Sequence, residues 1–211
     1  MSAKVVGTYT YDAAGRRVKT IEGDVSTVTL YLGNDVIYEI RGLGTANPLY
    51  TRYIPLNGKY VAKLTGEGTA GNWEKYYYHT DLVGTTRTQT DGNGVVVARF
   101  DYEAFGEVSQ QAGSAAADEL HRFTGKPMDG TGLYYFNARY MDPEIGRFIS
   151  RDPAMDGANW WVYCRNNPLN RIDPAGLVDR DGNGIEDEEE QQYRHNDSTA
   201  CCEGWESGCR D

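Results

Sequence analysis

One short pattern recurs along this chain and limits what it can fold into. "YTYDAAGRRV" (Tyr9–Val18), "YYHTDLVGTTRTQTDGNGVVV" (Tyr77–Val97) and "FDYEAFGEV" (Phe100–Val108) share an order: aromatic, spacer, aromatic, acid, short spacer, glycine. Alternating aromatics put one face of a strand on a core, and an acid followed by glycine turns the chain into the next strand. Each unit therefore predicts a strand ending in a hairpin turn. Further alternating runs, "VSTVTLYLG", "VIYEIRG" and "LYTRYIPLNGKYVAKLTG", lie between Asn-Asp, Asn-Gly and Gly-Glu-Gly turn signals. The 16 Tyr and 25 Gly against 5 Phe suit half-exposed pleated surfaces with many tight turns. The expectation is an all-β chain, an antiparallel hairpin meander that must curl or close to protect its edges. One short helix is expected over "SAAADELHRF" (Ser114–Phe123), with Ser114 as its N-cap.

Charge divides the chain. Residues 178–211 hold eleven of the 31 acidic and three of the 21 basic residues, so the tail carries −8 of the total −10 and the body −2. No basic patch large enough to track a phosphate backbone is present, which argues against nucleic acid as a partner. No apolar run approaches the roughly 18 residues of a membrane span, and Met1-Ser-Ala-Lys lacks the apolar stretch of a signal peptide. Cys164 falls in an expected buried aromatic strand, while Cys201, Cys202 and Cys209 cluster in the tail without partners at metal-site spacing. Disulfides among them are open if the protein is exported. His79, His121 and His195 stand apart from any Ser or Cys in a nucleophile arrangement.

The stretches "YYHTDLVGT", "TDGNGVVVARFDYEAFGE", "FTGKPMDGTGLYYFNARYMDPEIGRFISRDP" and "WVYCRNNPLNRIDPAGL" resemble the RHS, or YD-repeat, family and its repeat-associated core domain. The resemblance covers Tyr9–Leu177 and is most specific over Tyr77–Leu177. It implies YD-repeat strands over residues 1–76, the core over 77–177 and an acidic tail over 178–211. In such proteins the repeats wind as a spiral sheet into a hollow shell that the core plugs, enclosing a variable C-terminal polypeptide. The expected function is structural, with the chain's own C-terminal segment or the remaining shell repeats as partners and a secreted or cell-surface location. No activity on other molecules is expected of this chain.

The resemblance also implies a cut after the Asp-Pro-x-Gly-Leu motif, here between Leu177 and Val178. Peptide hydrolysis can use two carboxylates sharing a proton, one activating water and the other donating to the leaving group. Asp152 in "SRDP" and Asp173 in "RIDP" match the family's positions, and Arg151 matches an assisting basic neighbour. Asp-Pro is also a common turn opener, and Asp142-Pro143 repeats it without such a role. A third reading is a self-associating extracellular protein whose sheet edges pair between copies.

The tail segment "DRDGNGIEDEEE" has calcium-loop spacing. Asp179, Asp181 and Asn183 occupy alternate positions, Gly184 the sharp turn, Ile185 the backbone-carbonyl position, and Asp187 and Glu190 the last ligand positions. An acidic linker of this composition produces the same pattern without a bound ion.

Overall fold

The computed structural model describes residues 7–68, 73–153, 155 and 159–177. Val178, the calcium-loop positions Asp179 to Glu190 and the three tail cysteines lie outside these residues.

Ten strands form one sheet in chain order, each antiparallel to the next: β1 (Gly7–Tyr11), β2 (Arg17–Glu22), β3 (Val25–Leu32), β4 (Asp35–Arg41), β5 (Leu49–Leu56), β6 (Lys59–Glu67), β7 (Glu74–Thr80), β8 (Thr86–Asp91), β9 (Val96–Tyr102) and β10 (Val108–Ala112). The sheet runs unbroken past residue 76, so the expected boundary between repeats and core falls inside β7. A second sheet is small: β11 (Tyr134–Phe136), β12 (Arg139–Asp142) and β13 (Arg147–Phe148).

The recurring motif is one turn used five times. At Asp12, Asp81, Asp91, Glu103 and Asp129, the acid's backbone N–H donates to the carbonyl four residues on, and the glycine N–H donates back to the acid's carbonyl, all at 2.8–3.1 Å. Those glycines have φ between +78° and +90°, where a Cβ is unfavourable. Asp12, Asp81 and Asp91 also close the turn with the side chain, each Oδ1 accepting two backbone N–H bonds. These bonds, led by the Arg16 and Val95 amides, hold the Asp12 and Asp91 carboxyls below the usual carboxylate range.

One face of the sheet is buried. Along β5, buried Thr51 and Tyr53 alternate with exposed Arg52 and Ile54, and Val36, Tyr60, Tyr78, Ala98 and Phe100 extend the buried face. Residues 114–141 lie across it. The His121 ring sits 4.5 Å from the Tyr53 ring and 4.9 Å from the Tyr60 ring. Phe123 joins Tyr134, Phe136, Met141, Phe148 and Tyr163 in a second, mainly aromatic core. Arg17 ties the two parts together: its backbone N–H donates to the Tyr135 hydroxyl at 2.9 Å, and its guanidinium pairs with Asp129 at 3.2 Å beneath the Tyr135 ring.

Residues 114–118 form turns, not the helix expected from their alanines. The Ala115 N–H donates to the Val97 carbonyl, Ala116 packs against Ala98 and Phe100, and Glu119 is drawn under the sheet. There its Oε2 accepts from Lys63 Nζ at 2.6 Å, from Gln89 Nε2 and from the Tyr78 hydroxyl at 3.2 Å, while Oε1 accepts the His121 N–H at 2.8 Å. Tertiary bonds of this kind outweigh a helix propensity of a few tenths of a kcal/mol per residue. Cys164 lies not in a buried strand but in a 3₁₀ turn, Cys164–Asn166, half-buried against the aromatic core.

Two outcomes follow. Gly132→Ala introduces a Cβ into open space at φ +84° and costs about 1–2 kcal/mol of unfolding free energy. Gly106→Ala also drives its Cβ to 2.4 Å from Phe123 Cγ, so urea titration is expected to show a larger loss, about 2–4 kcal/mol.

The second concerns acid. Burial holds the His121 imidazole below its ordinary 6.5, against the pull of Glu39 and Glu119. Burial raises the Glu119 carboxyl, but Lys63, His121 and Gln89 bring it below its ordinary 4.5. His121 binds fewer protons folded than unfolded, so the stability it contributes is complete above pH 6.5 and is lost as pH falls. His121→Phe, which keeps a ring between Tyr53 and Tyr60, is expected to remove the first part of the fall in Tm just below pH 6.5. An unchanged Tm profile would contradict this.

Candidate functional site

The tight turn Asn137–Ala138 joins β11 to β12, with Asn137 at φ +57°, and it places Arg139 at the start of β12 facing inward. The guanidinium carbon lies 3.7 Å from the Phe148 ring centroid, and Arg139 is only 2% exposed. A cation there needs carboxylates. Nη2 meets Asp173 Oδ2 at 3.1 Å, and Nη1 lies 3.6 Å from Asp152 Oδ2. Nη1 also donates to the Trp160 carbonyl at 3.2 Å, and Nε donates to the Gly176 carbonyl. Burial pulls the Arg139 pKa down, and Asp173 and then Asp152 oppose it.

Asp152 and Asp173, 2% and 4% exposed, come from segments 21 positions apart in sequence and converge on this one side chain. The Asp152 N–H is fixed by the Trp160 carbonyl at 2.9 Å. Beyond Asp173, the Pro174 carbonyl accepts from Lys126 Nζ, and the Ala175 carbonyl accepts from the Ala138 N–H at 2.9 Å. Gly176 has φ +75°, and a Cβ there would lie 2.5 Å from the Phe136 carbonyl oxygen. The glycine of Asp-Pro-Ala-Gly-Leu is therefore required because two backbones touch.

Solvent reaches the segment from two sides. A cleft of about 380 Å³ is lined by Asp173, Pro174, Lys126, Asp35 and Lys59, and another of about 650 Å³ by Leu177, Ala175, Pro153, Tyr140 and Tyr11. Burial raises the Asp35 carboxyl in the first, with Lys126 opposing. Two carboxylates meet one guanidinium here, so the cluster carries more negative than positive charge. The arrangement sets two residues of the same acid type beside the backbone that ends at Leu177.

Of the residues named from sequence, Asp152, Asp173 and Leu177 come together. Arg151 does not join them: it is exposed, its guanidinium 5.9 Å from the Trp160 ring. Arg139 takes the place beside the carboxylates. An arginine that opens the next strand two residues beyond Tyr-Tyr-Phe, across a tight turn, was the available signal. Among the described residues no group of His, Cys, Asp and Glu is arranged to hold a metal ion.

No protein-family model matches the chain. Fold and sequence nevertheless point to a class: the homologues of this chain include RHS-repeat toxins, and the match fits an RHS C-terminal region. The tRNA(Glu)-specific nuclease WapA of Bacillus subtilis subsp. natto is 33% identical over 184 residues, 82% of this chain and 8% of that protein. The toxin subunit YenC1 of Yersinia entomophaga is 31% identical over 197 residues, 81% of this chain and 19% of its own length. In the Tc holotoxin pore of Photorhabdus luminescens, the similar chain superposes with a TM-score of 0.71 at 26% identity, over 85% of this chain and 9% of that one. This chain thus spans less than a fifth of the length of these relatives. The calcium loop finds no support among them.

One expectation is overturned. The sequence reading assigned no activity on other molecules, yet relatives matching over this stretch are named as a tRNA nuclease and, in Burkholderia cenocepacia, as a double-stranded DNA deaminase toxin at 29% identity over 195 residues. Those names describe whole proteins of which the matched region is a small part.

The two arginines separate experimentally. Arg139→Met leaves two buried carboxylates without a cation and is expected to cost about 3–5 kcal/mol in urea unfolding. Arg151→Ala, at the surface, is expected to stay within about 0.5 kcal/mol.

Proposed function

We propose that this chain is the closing segment of a β-sheet shell and that it cuts itself after Leu177. The observation that carries the reading is that Arg139 gathers Asp152, Asp173 and the Gly176 carbonyl around the segment ending at Leu177. Arg139 holds the chain one residue before the scissile bond and stabilises the carboxylate that stays ionised. One carboxyl takes a proton from water as it attacks the Leu177 carbonyl, and the other delivers its proton to the leaving Val178 nitrogen. Gly176 permits the close approach, and Lys126 fixes Pro174 on the other side of Asp173.

The aromatic plug supports the closure half of this reading, because it covers the buried face of the last strands and is latched to β2 by Arg17. Its partners are the remaining repeats and the chain's own segment after Leu177. The location that suits such a protein is outside the cell or on its surface. Among the described residues no helix is long and apolar enough to cross a membrane.

Intact mass of the purified full chain, followed over days at neutral and mildly acidic pH, tests the cut. The expected outcome is a product ending at Leu177, with Asp152→Asn and Asp173→Asn each slowing its appearance about 10²-fold or more. Processing of both variants at the wild-type rate would remove the carboxylates from the chemistry.

A further inference from the structure

A second buried cluster has the parts of an amide-forming reaction that the site above does not use. Lys63 on β6 and Gln89 on β8 reach Glu119 from either side of β7, where Tyr78, paired with Gln89 across the β7–β8 ladder, completes the pocket. Lys63 is 8% exposed, and Gln89 and Glu119 are fully buried. The amine Nζ and the amide Nε2 bond to the same carboxylate oxygen, Glu119 Oε2. The other end of the amide, Gln89 Oε1, is buried and accepts no hydrogen bond, a state that is costly in a folded interior.

We propose that Lys63 and Gln89 join in an intramolecular isopeptide bond, with Glu119 moving the protons. Amine, amide and carboxylate are the groups such a step requires, and the shared oxygen links the attacking nitrogen to the leaving one. The Lys63 ammonium gives a proton to Glu119, and the free amine attacks Gln89 Cδ. Glu119 returns that proton to Nε2, the Cδ–Nε2 bond breaks, and ammonia departs. The attacking nitrogen gives up its second proton to Glu119 and becomes the new amide N–H. No oxidant or further reagent enters.

The product removes what is unfavourable in the unreacted cluster. A buried ion pair becomes a neutral amide and a protonated carboxyl, and Glu119 can donate its proton to Oε1, the atom that lacked a partner. Ammonia has an exit through a cleft of about 310 Å³ that Lys63 lines with Glu39, Thr51 and Asp118. The bond would staple β6 to β8 across β7, directly beneath the segment that covers the sheet, and so resist forces that peel the hairpins apart.

The test is high-resolution mass of the purified full chain, with tryptic peptide mapping, alongside Lys63→Arg, which keeps a cation for Glu119 but cannot form the bond. The expected result is a wild-type mass lower by about 17 Da, one ammonia, a branched peptide joining Lys63 to Gln89, and a Lys63→Arg protein at its calculated mass with a lower Tm. A wild-type chain that keeps its calculated mass for days at neutral and mildly alkaline pH, with Lys63 and Gln89 in separate peptides, would overturn the proposal. A loss of about 18 Da, one water, with Lys63 joined to Glu119 would overturn it equally. The readout is the same whether or not the chain has been cut after Leu177.

Discussion

The rest of the structure depends on a turn in which an acid, two spacers and a left-handed glycine reverse the chain through two backbone hydrogen bonds. Because this turn fixes the register of each hairpin it closes, the aromatics flanking it are delivered repeatedly to the same face. Tyr78 and Phe100, on strands that this turn closes, reach the buried face in this way, where Tyr53 and Tyr60 of the Asn57–Gly58 hairpin join them. The same turn at Asp129 carries the chain toward β11, so the long sheet and the segment across it are built with one device.

Covering that face with an aromatic segment creates places where charge is buried, and charge in an apolar interior must be paired. Glu119 and Arg139 are the two results. Each gathers partners from distant parts of the chain: Lys63, Tyr78 and Gln89 around Glu119, and Asp152, Asp173 and the Gly176 carbonyl around Arg139. Such clusters add little net stability, because desolvation offsets the Coulomb gain, but they are costly to break and so fix one arrangement. That property holds the segment ending at Leu177 in one arrangement.

The relatives add a constraint of scale. The matched region is a small fraction of the nuclease and of the toxin subunit, so a fold shared at this level coexists with different named activities. Function therefore attaches to sites on the fold and to what adjoins it. The Asp152–Arg139–Asp173 cluster is the candidate for such a site in this chain.

The all-β meander and its hairpin turns were legible in the sequence because each rests on local chemistry: period-two alternation and the acid-to-glycine turn. The helix over Ser114–Phe123 was misread, since local propensity does not register the pull of Lys63, Gln89 and Tyr78 on Glu119. Arg139 was passed over in favour of Arg151 because adjacency in sequence says nothing about which cation faces inward; the short β11–β12 turn and the Phe148 ring decide that. What the sequence determined by itself was the alternation of strand and turn, which depends on neighbours a few residues apart. Only the tertiary structure decided which charges share a buried cluster, because that depends on which segments a covered sheet brings within a hydrogen bond of one another.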